Sequence, residues 1–206
     1  MSDSGLFTGQ TVASLHAEQS KSFIRLRWKG LMVLKIVIVV VLLIAAVLIF
    51  VAMKPDTIHL ERSILIKAAP ENIFPLINDL HKWDAWSEQD QGSAIIQKTF
   101  GGAEAGEGAA SEWQGSGSSG KGRMLITESV PNKKVSVAVD FVKPFAAHNI
   151  NVFTLQPAGG STKVTWNFTG TNVYVLKVMT IFVSMDRIMG KHFETGLENL
   201  KAIAER

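Results

Sequence analysis

The run Ile36–Met53 constrains this chain more than any other segment: eighteen residues without a charge, a polar amide, a glycine or a proline. As a helix rising about 1.5 Å per residue it is about 27 Å long, close to the hydrocarbon thickness of a bilayer. The sequence is thereby divided into a polar N-terminal tail (residues 1–30), a transmembrane helix (31–53) and a region of ordinary globular composition (54–206). The last is long enough for one domain with its own core. A cleaved secretory signal fits less well. Its apolar region would span about 7–15 residues, and the residue two before Ala52 is Phe50 rather than a small one.

The formal net charge of +3 belongs to the flank of that helix. Five basic residues (Lys21, Arg25, Arg27, Lys29, Lys35) and two acidic ones (Asp3, Glu18) precede residue 54, whereas the remainder carries sixteen of each sign. A neutral domain gives no footing for nucleic acid. The basic cluster, with Trp28 as an interfacial ring and Lys35 able to snorkel, places the N-terminus in the cytoplasm. The expected location is the inner (cytoplasmic) membrane, crossed once, with the domain in a periplasm or its equivalent. The chain has no cysteine, which excludes disulfides, thiolate metal sites and Cys nucleophiles.

After Lys54-Pro55-Asp56 ends the membrane helix, Thr57 to Lys67 alternates as a strand. Ala68-Ala69-Pro70-Glu71 opens a helix with an apolar face of Ile73, Phe74, Leu76 and Ile77, and Asn78-Asp79 breaks it. A second short helical segment carries His81, Trp83 and Trp86. Six strands follow, over Ala94–Phe100, Gly108–Gln114, Gly122–Val130, Lys134–Val142, His148–Leu155 and Lys163–Thr169, separated by glycine- and proline-bearing turns. That spacing predicts one antiparallel meander. Val173 to Arg206 reads as a helix: Val178, Phe182, Met185, Met189, Phe193, Leu197, Leu200 and Ala204 make one apolar stripe. Its second half has a charged outer face, while its first half is apolar nearly all round. The fold class is thus α+β, a curved antiparallel sheet covered by a long C-terminal helix, with a cavity between them.

Several segments, in this order, resemble the START-like helix-grip superfamily (Bet v 1-like), specifically its polyketide cyclase/dehydrase-like SRPBCC branch in bacteria. They are Lys54-Pro55-Asp56 with Glu61-Arg62-Ser63, Ile66 to Phe74, Trp83-Asp84-Ala85-Trp86-Ser87, Gly106-Glu107-Gly108 with Trp113, Gly120 to Met124, and Phe193-Glu194-x-Gly196-Leu197-x-Asn199-Leu200-Lys201. The resemblance covers residues 54–206 and implies a domain that binds lipids, hormones or polyketides. Similar sequences often follow the Trp-Ser pair with proline and an aromatic residue. Glu88-Gln89-Asp90 stands there instead, which implies a more polar entrance loop.

Trp83, Trp86, Trp113, Met124, Phe141, Trp166, Met179, Phe182 and Met185, with His148, are the expected lining of a pocket for an apolar ligand. The competing reading of the same residues is ordinary core packing. Glu112, Arg123, Glu128, Asp140, His148 and Asn151 lie in or beside the strands. Cyclase chemistry would need a general acid or base, for which His148 is the titratable candidate, with Asp140 or Glu128 to orient it. The five histidines (16, 59, 81, 148, 192) have no metal-ligand spacing, and neither metal nor other cofactor is expected. Gly106-x-Gly108 and Gly120-x-Gly122 read as hairpin glycines rather than phosphate loops. Asn167-Phe168-Thr169 matches a glycosylation sequon but falls inside a strand. The expected function is a membrane-tethered binding module for a small hydrophobic ligand. The alternatives are a protein-interaction or stress-response domain with a filled cavity, and a cyclase/dehydratase-type enzyme.

Overall fold

The computed structural model describes residues 32, 34–87, 95–115, 120–143, 146–172, 177–178 and 185–206. Two compact units meet in sequence between Met53 and Lys54. The first contains α1 (Leu34–Ala52), nineteen residues of mean hydropathy 3.4 with almost wholly exposed side chains. By length and composition α1 is able to cross a membrane, and it also has the position of a signal sequence.

The second unit is built on one seven-stranded antiparallel sheet. Its strands are β1 (Thr57–Ile66), β2 (Ile95–Gly102), β3 (Ala109–Gly115), β4 (Lys121–Val130), β5 (Lys134–Lys143), β6 (Ala147–Ala158) and β7 (Ser161–Thr171). Six of them run as a meander, and β1 closes onto the last, giving the order β1-β7-β6-β5-β4-β3-β2. The expected strands are thus all present, with ends differing by at most three residues. The largest difference is β6, which runs past Pro157. Beyond Thr154 it pairs only with β7, so the missing proline N–H breaks no ladder on the β5 side.

Between β1 and β2 lie α2 (Pro70–Asn78) and a 3-10 helix (Leu80–Ala85). Ala69 caps α2 in extended backbone and Pro70 enters its first turn, where a proline N–H would be unpaired in any case. The last three carbonyls of α2 are taken. Trp86 Nε1 donates to Leu76 O (3.0 Å), Trp83 Nε1 to Ile77 O (2.8 Å), and the Gly106 amide to Asn78 O (2.8 Å). Two indoles, one from the following 3-10 helix and one from the residue that caps it, thus fold back and close the helix end that would otherwise bury orphan acceptors.

The C-terminal helix α3 (Met185–Ala204) lies against β1 and α2 with Leu197 and Leu200 fully buried. Lys177 and Val178 are also helical, but the rest of the apolar first half predicted from Val173 lies outside the described residues, as do the N-terminal tail and Glu88-Gln89-Asp90.

One close approach joins β3, β4 and β5 near the β3–β4 hairpin. A Cβ on Gly122 would stand 2.3 Å from the Trp113 ring and 2.6 Å from the Asp140 carbonyl oxygen. The indole lies across bare backbone there, and the backbone oxygen cannot move aside. Gly122→Ala is expected to destabilise residues 54–206 by about 1–3 kcal/mol through overpacking, read as a lower urea midpoint at unchanged m-value.

Candidate functional site

Side chains alternate across a sheet, so the cross-strand register assigns every residue to a face. On the inner face, under the helices, one row crosses all seven strands: Ile58, Gly170, Asn149, Val139, Met124, Ser111, Phe100. The next is Leu60, Phe168, Asn151, Val137, Ile126, and beyond it Arg62, Trp166, Phe153, Val135, Ser129. On the far side of the first row stand Phe141, Gly122, Trp113 and Lys98.

Trp166 and Phe153 of the third row are the sheet's part of an aromatic block. Phe193 of α3 stacks on Trp166 with centroids 4.2 Å apart and planes 14° from parallel. Phe153 lies 4.8 Å from Trp166, Trp86 meets both edge-on at 5.9 Å, and Trp83 joins Trp86 at 5.0 Å. Such pairs contribute about 0.5–1.5 kcal/mol each beyond area burial. Trp166 Nε1 donates to Asn151 Oδ1 (2.8 Å), so the indole N–H groups of Trp83, Trp86 and Trp166 are all committed within the fold. Trp83, Trp86 and Trp166 therefore form one packed block. Trp113 stands apart from it, paired edge-on with Phe141 at 5.3 Å, beside Met124. Met179 and Phe182 lie outside the described residues, and Met185 is placed only as the first residue of α3.

His148 does not join this set. It pairs with Asp140 across β5 and β6 on the outer face, Nδ1 to Oδ1 2.6 Å, both side chains more than half exposed. Its neighbours Asn149 and Asn151 are the inward, buried residues. The outer row continues from Asp140 to Arg123, Glu112 and Thr99. Glu128 is also outside, where hydrogen bonds from Lys134 and Ser136 hold its carboxyl below the usual range. Of the six polar strand residues singled out from the sequence, Asn151 alone faces inward. A shallow groove of about 240 Å³ marks the outer face, floored by Gly101, Gly102 and Ala110 and edged by Thr99, Glu112 and Arg123. Among the described residues no three His, Asp or Glu side chains stand close enough to share a metal ion.

Three inner-face residues were not foreseen. Arg62, in β1, reaches α3 with Nε 2.7 Å from Glu194 Oε1 and Nη2 2.7 Å from Asp186 Oδ1; these hydrogen bonds raise its pKa further. Asn149 is buried beside Gly170. Ser111 is 1% exposed, and its hydroxyl has no hydrogen-bond partner among the described residues. The first inner row is thus apolar with two buried polar groups at Asn149 and Ser111. Its Phe100, Met124 and the adjoining Phe141 are only half-buried. Ligand sites commonly have this mixture.

The 3-10 helix that bears Trp83 and leads into Trp86 is pinned electrostatically. Asp79 Oδ1 accepts from the His81 amide (3.0 Å) and from His81 Nδ1 (2.9 Å), and Lys82 is nearby. Burial pushes the Asp79 carboxyl up, but the two His81 hydrogen bonds and Lys82 outweigh it and hold the pKa below its ordinary value.

The family model described as polyketide cyclase / dehydrase and lipid transport matches residues 57–205. No curated protein matches the chain. Among solved structures, a protein of Chromobacterium violaceum is 18% identical, with 74% of this chain and 99% of that one covered and a TM-score of 0.50. A Thermus thermophilus protein is 16% identical, covering 71% and 97%, TM-score 0.52. Norcoclaurine synthase from Thalictrum flavum, solved with dopamine and hydroxybenzaldehyde, is 7% identical, covering 71% and 86%, TM-score 0.53. At these identities the likeness is one of fold.

A carboxyl with a depressed native pKa contributes stability that is present above its unfolded value, about 3.9, and lost as pH falls through the lower native value. Asp79→Asn, which keeps the capping geometry, is expected to have a shallower acid limb in unfolding free energy than the parent protein. The two curves should converge below about pH 4. Parallel curves in urea titrations over that range would remove Asp79 from the account.

Proposed function

The chain belongs to the polyketide cyclase / dehydrase and lipid transport family, and from that premise we propose that residues 54–206 bind a small, mainly apolar molecule between the sheet and the C-terminal helix. The observation that carries this reading is the first inner row with the Phe141 that adjoins it: half-buried Phe100, Met124 and Phe141 beside buried Asn149 and Ser111, next to an aromatic block that is already filled. The site residues are accordingly Trp113, Met124 and Phe141, with the C-terminal helix as cover. Trp83, Trp86 and Trp166 act behind them as a rigid wall.

We propose further that α1 anchors the protein by a single crossing of the inner membrane, with its N-terminus in the cytoplasm. Its length and hydropathy support this, together with the basic residues that precede it. A tethered receptor of this kind receives an apolar molecule from the bilayer without passage through water.

A second reading is favoured by the same aromatic block. If packing extends over the whole inner face, the domain is an interaction module whose sheet or loops meet another protein. Catalysis by His148 and Asp140 draws no support from their outward position, since the apolar interior lies on the other side of the sheet.

Residues 54–206, purified and extracted for mass spectrometry, are expected to release a stoichiometric apolar molecule, and the emptied domain to gain thermal stability when it is returned. A folded domain that holds nothing and shifts with no member of a lipid and polyketide panel would favour the filled-interior reading. The chain's lack of cysteine allows a clean test of orientation. Lys163→Cys, on an exposed position of β7, should react with a membrane-impermeant maleimide in sealed right-side-out vesicles. Labelling only after lysis would reverse the topology.

A further inference from the structure

We infer that the ligand of the inner-face site is an uncharged molecule with an oxygen-bearing end, and that Ser111 is the residue that holds that end; this rests on the apolar-ligand reading above. Ser111 lies on the inner face of β3, in register with Phe100 on one side and Met124 on the other, and two residues before Trp113. It is 1% exposed, and its hydroxyl meets no hydrogen-bond partner among the described residues. A buried hydroxyl without a partner is a standing cost to the fold, and replacing it by a methyl group would remove that cost. Most of its surroundings are apolar, so what completes the hydroxyl is a group brought by the ligand.

The charge of that group follows from the cations on the same face. Lys98 stands one register position beyond the row and forms an ion pair with Asp84 of the 3-10 helix. Arg62 is two rows away and bound to Asp186 and Glu194. Arg123, though adjacent to Met124 in sequence, points to the outer face and lies beside Glu112. A carboxylate brought to Ser111 would be desolvated without an uncommitted cation among these, an unfavourable burial. A neutral hydroxyl, ester or ketone oxygen carries no such penalty. Asn149 stands three strands from Ser111 in the same row, about 14 Å at the usual strand spacing. Met124 and Val139 lie between them. The body of the ligand is therefore aliphatic and lies across the strands from Ser111 towards Asn149.

The test uses the full chain in amphipol and four probes of equal chain length: tetradecanol, methyl tetradecanoate, tetradecane and sodium tetradecanoate. Binding is read by native mass spectrometry and thermal shift. The parent protein should bind the alcohol and the ester more tightly than the alkane or the carboxylate. Ser111→Ala should weaken the alcohol and ester about 5- to 10-fold, the worth of one hydrogen bond. It should leave the alkane unchanged and melt, unliganded, no lower than the parent. Equal binding of tetradecanoate, or alcohol binding indifferent to Ser111→Ala, would overturn the inference while leaving an apolar-ligand receptor standing. If none of the four binds a folded protein, both readings fall.

Discussion

The stack of Phe193 on Trp166 is the contact through which the sheet and the C-terminal helix become one body. Trp166 sits mid-strand on β7, second from the sheet edge, with Phe193 stacked on its ring, Trp86 crossing it at 77° and Phe153 tilted by 37° beside it. The approach is close enough that a Cβ on Gly196, one turn further along the helix, would lie 3.3 Å from the same ring. The helix is then held at two more levels. Arg62 joins β1 to Asp186 and Glu194, and Asn199 Nδ2 donates to the Trp86 carbonyl (3.3 Å). Because Trp86 also closes the end of α2, the two helices and the sheet share one set of indoles. Loss of any member would loosen the others, as expected where packing and buried hydrogen bonds are coupled.

The architecture was legible in the sequence because its signals were local. Alternation in Val135, Val137, Val139 and Phe141 marks β5 and its inward side, and glycine or proline punctuates each hairpin. The site was less legible, and β6 shows why. One stripe of that strand reads His148, Ile150, Val152, Thr154, and the other Asn149, Asn151, Phe153, Leu155. Each mixes polar and apolar residues, so periodicity alone does not say which faces the core. Only the pairing with β5, which sets Asp140 opposite His148, decides it. The clean alternation of β5, carried across the hairpin to β6, is the signal that singles out the Asn149 stripe. Arg62 offered no comparable signal. A charge on a core-facing position is made tolerable by two carboxylates more than a hundred residues away.

The two faces of the sheet divide the chemistry. The outer one carries the titratable residues in a registered row, His148, Asp140, Arg123, Glu112, each beside an opposite or complementary neighbour and in contact with water. Exposed pairs of this type contribute little energy but keep an antiparallel sheet soluble on one side. The inner face carries apolar residues, a few neutral polar ones, and two cations, Arg62 and Lys98, each tied to carboxylates. On the reading proposed above, a molecule bound there would be selected by shape and by hydrogen bonds to uncharged groups, which suits a family described by polyketides and lipids.

Residues 54–56, which lead into β1, are fastened to the segment following β7. Asn172 Nδ2 donates to the Pro55 carbonyl (2.9 Å), the Asn172 amide to the Asp56 carbonyl (2.7 Å), and Lys177 Nζ to the Lys54 carbonyl (2.8 Å) and to the Asp56 carboxylate. In mechanical terms these bonds set the load path. A pull on the backbone at Lys54 would otherwise peel β1 from β7 one ladder bond at a time, starting at Thr57, the weakest direction for an edge strand. With the fastening in place the force would first stretch several bonds in parallel at the C-terminal end of β7, beside Thr57, before it reaches the ladder. Were the domain suspended by its N-terminal side, it would hang from a single chain without unzipping from that point.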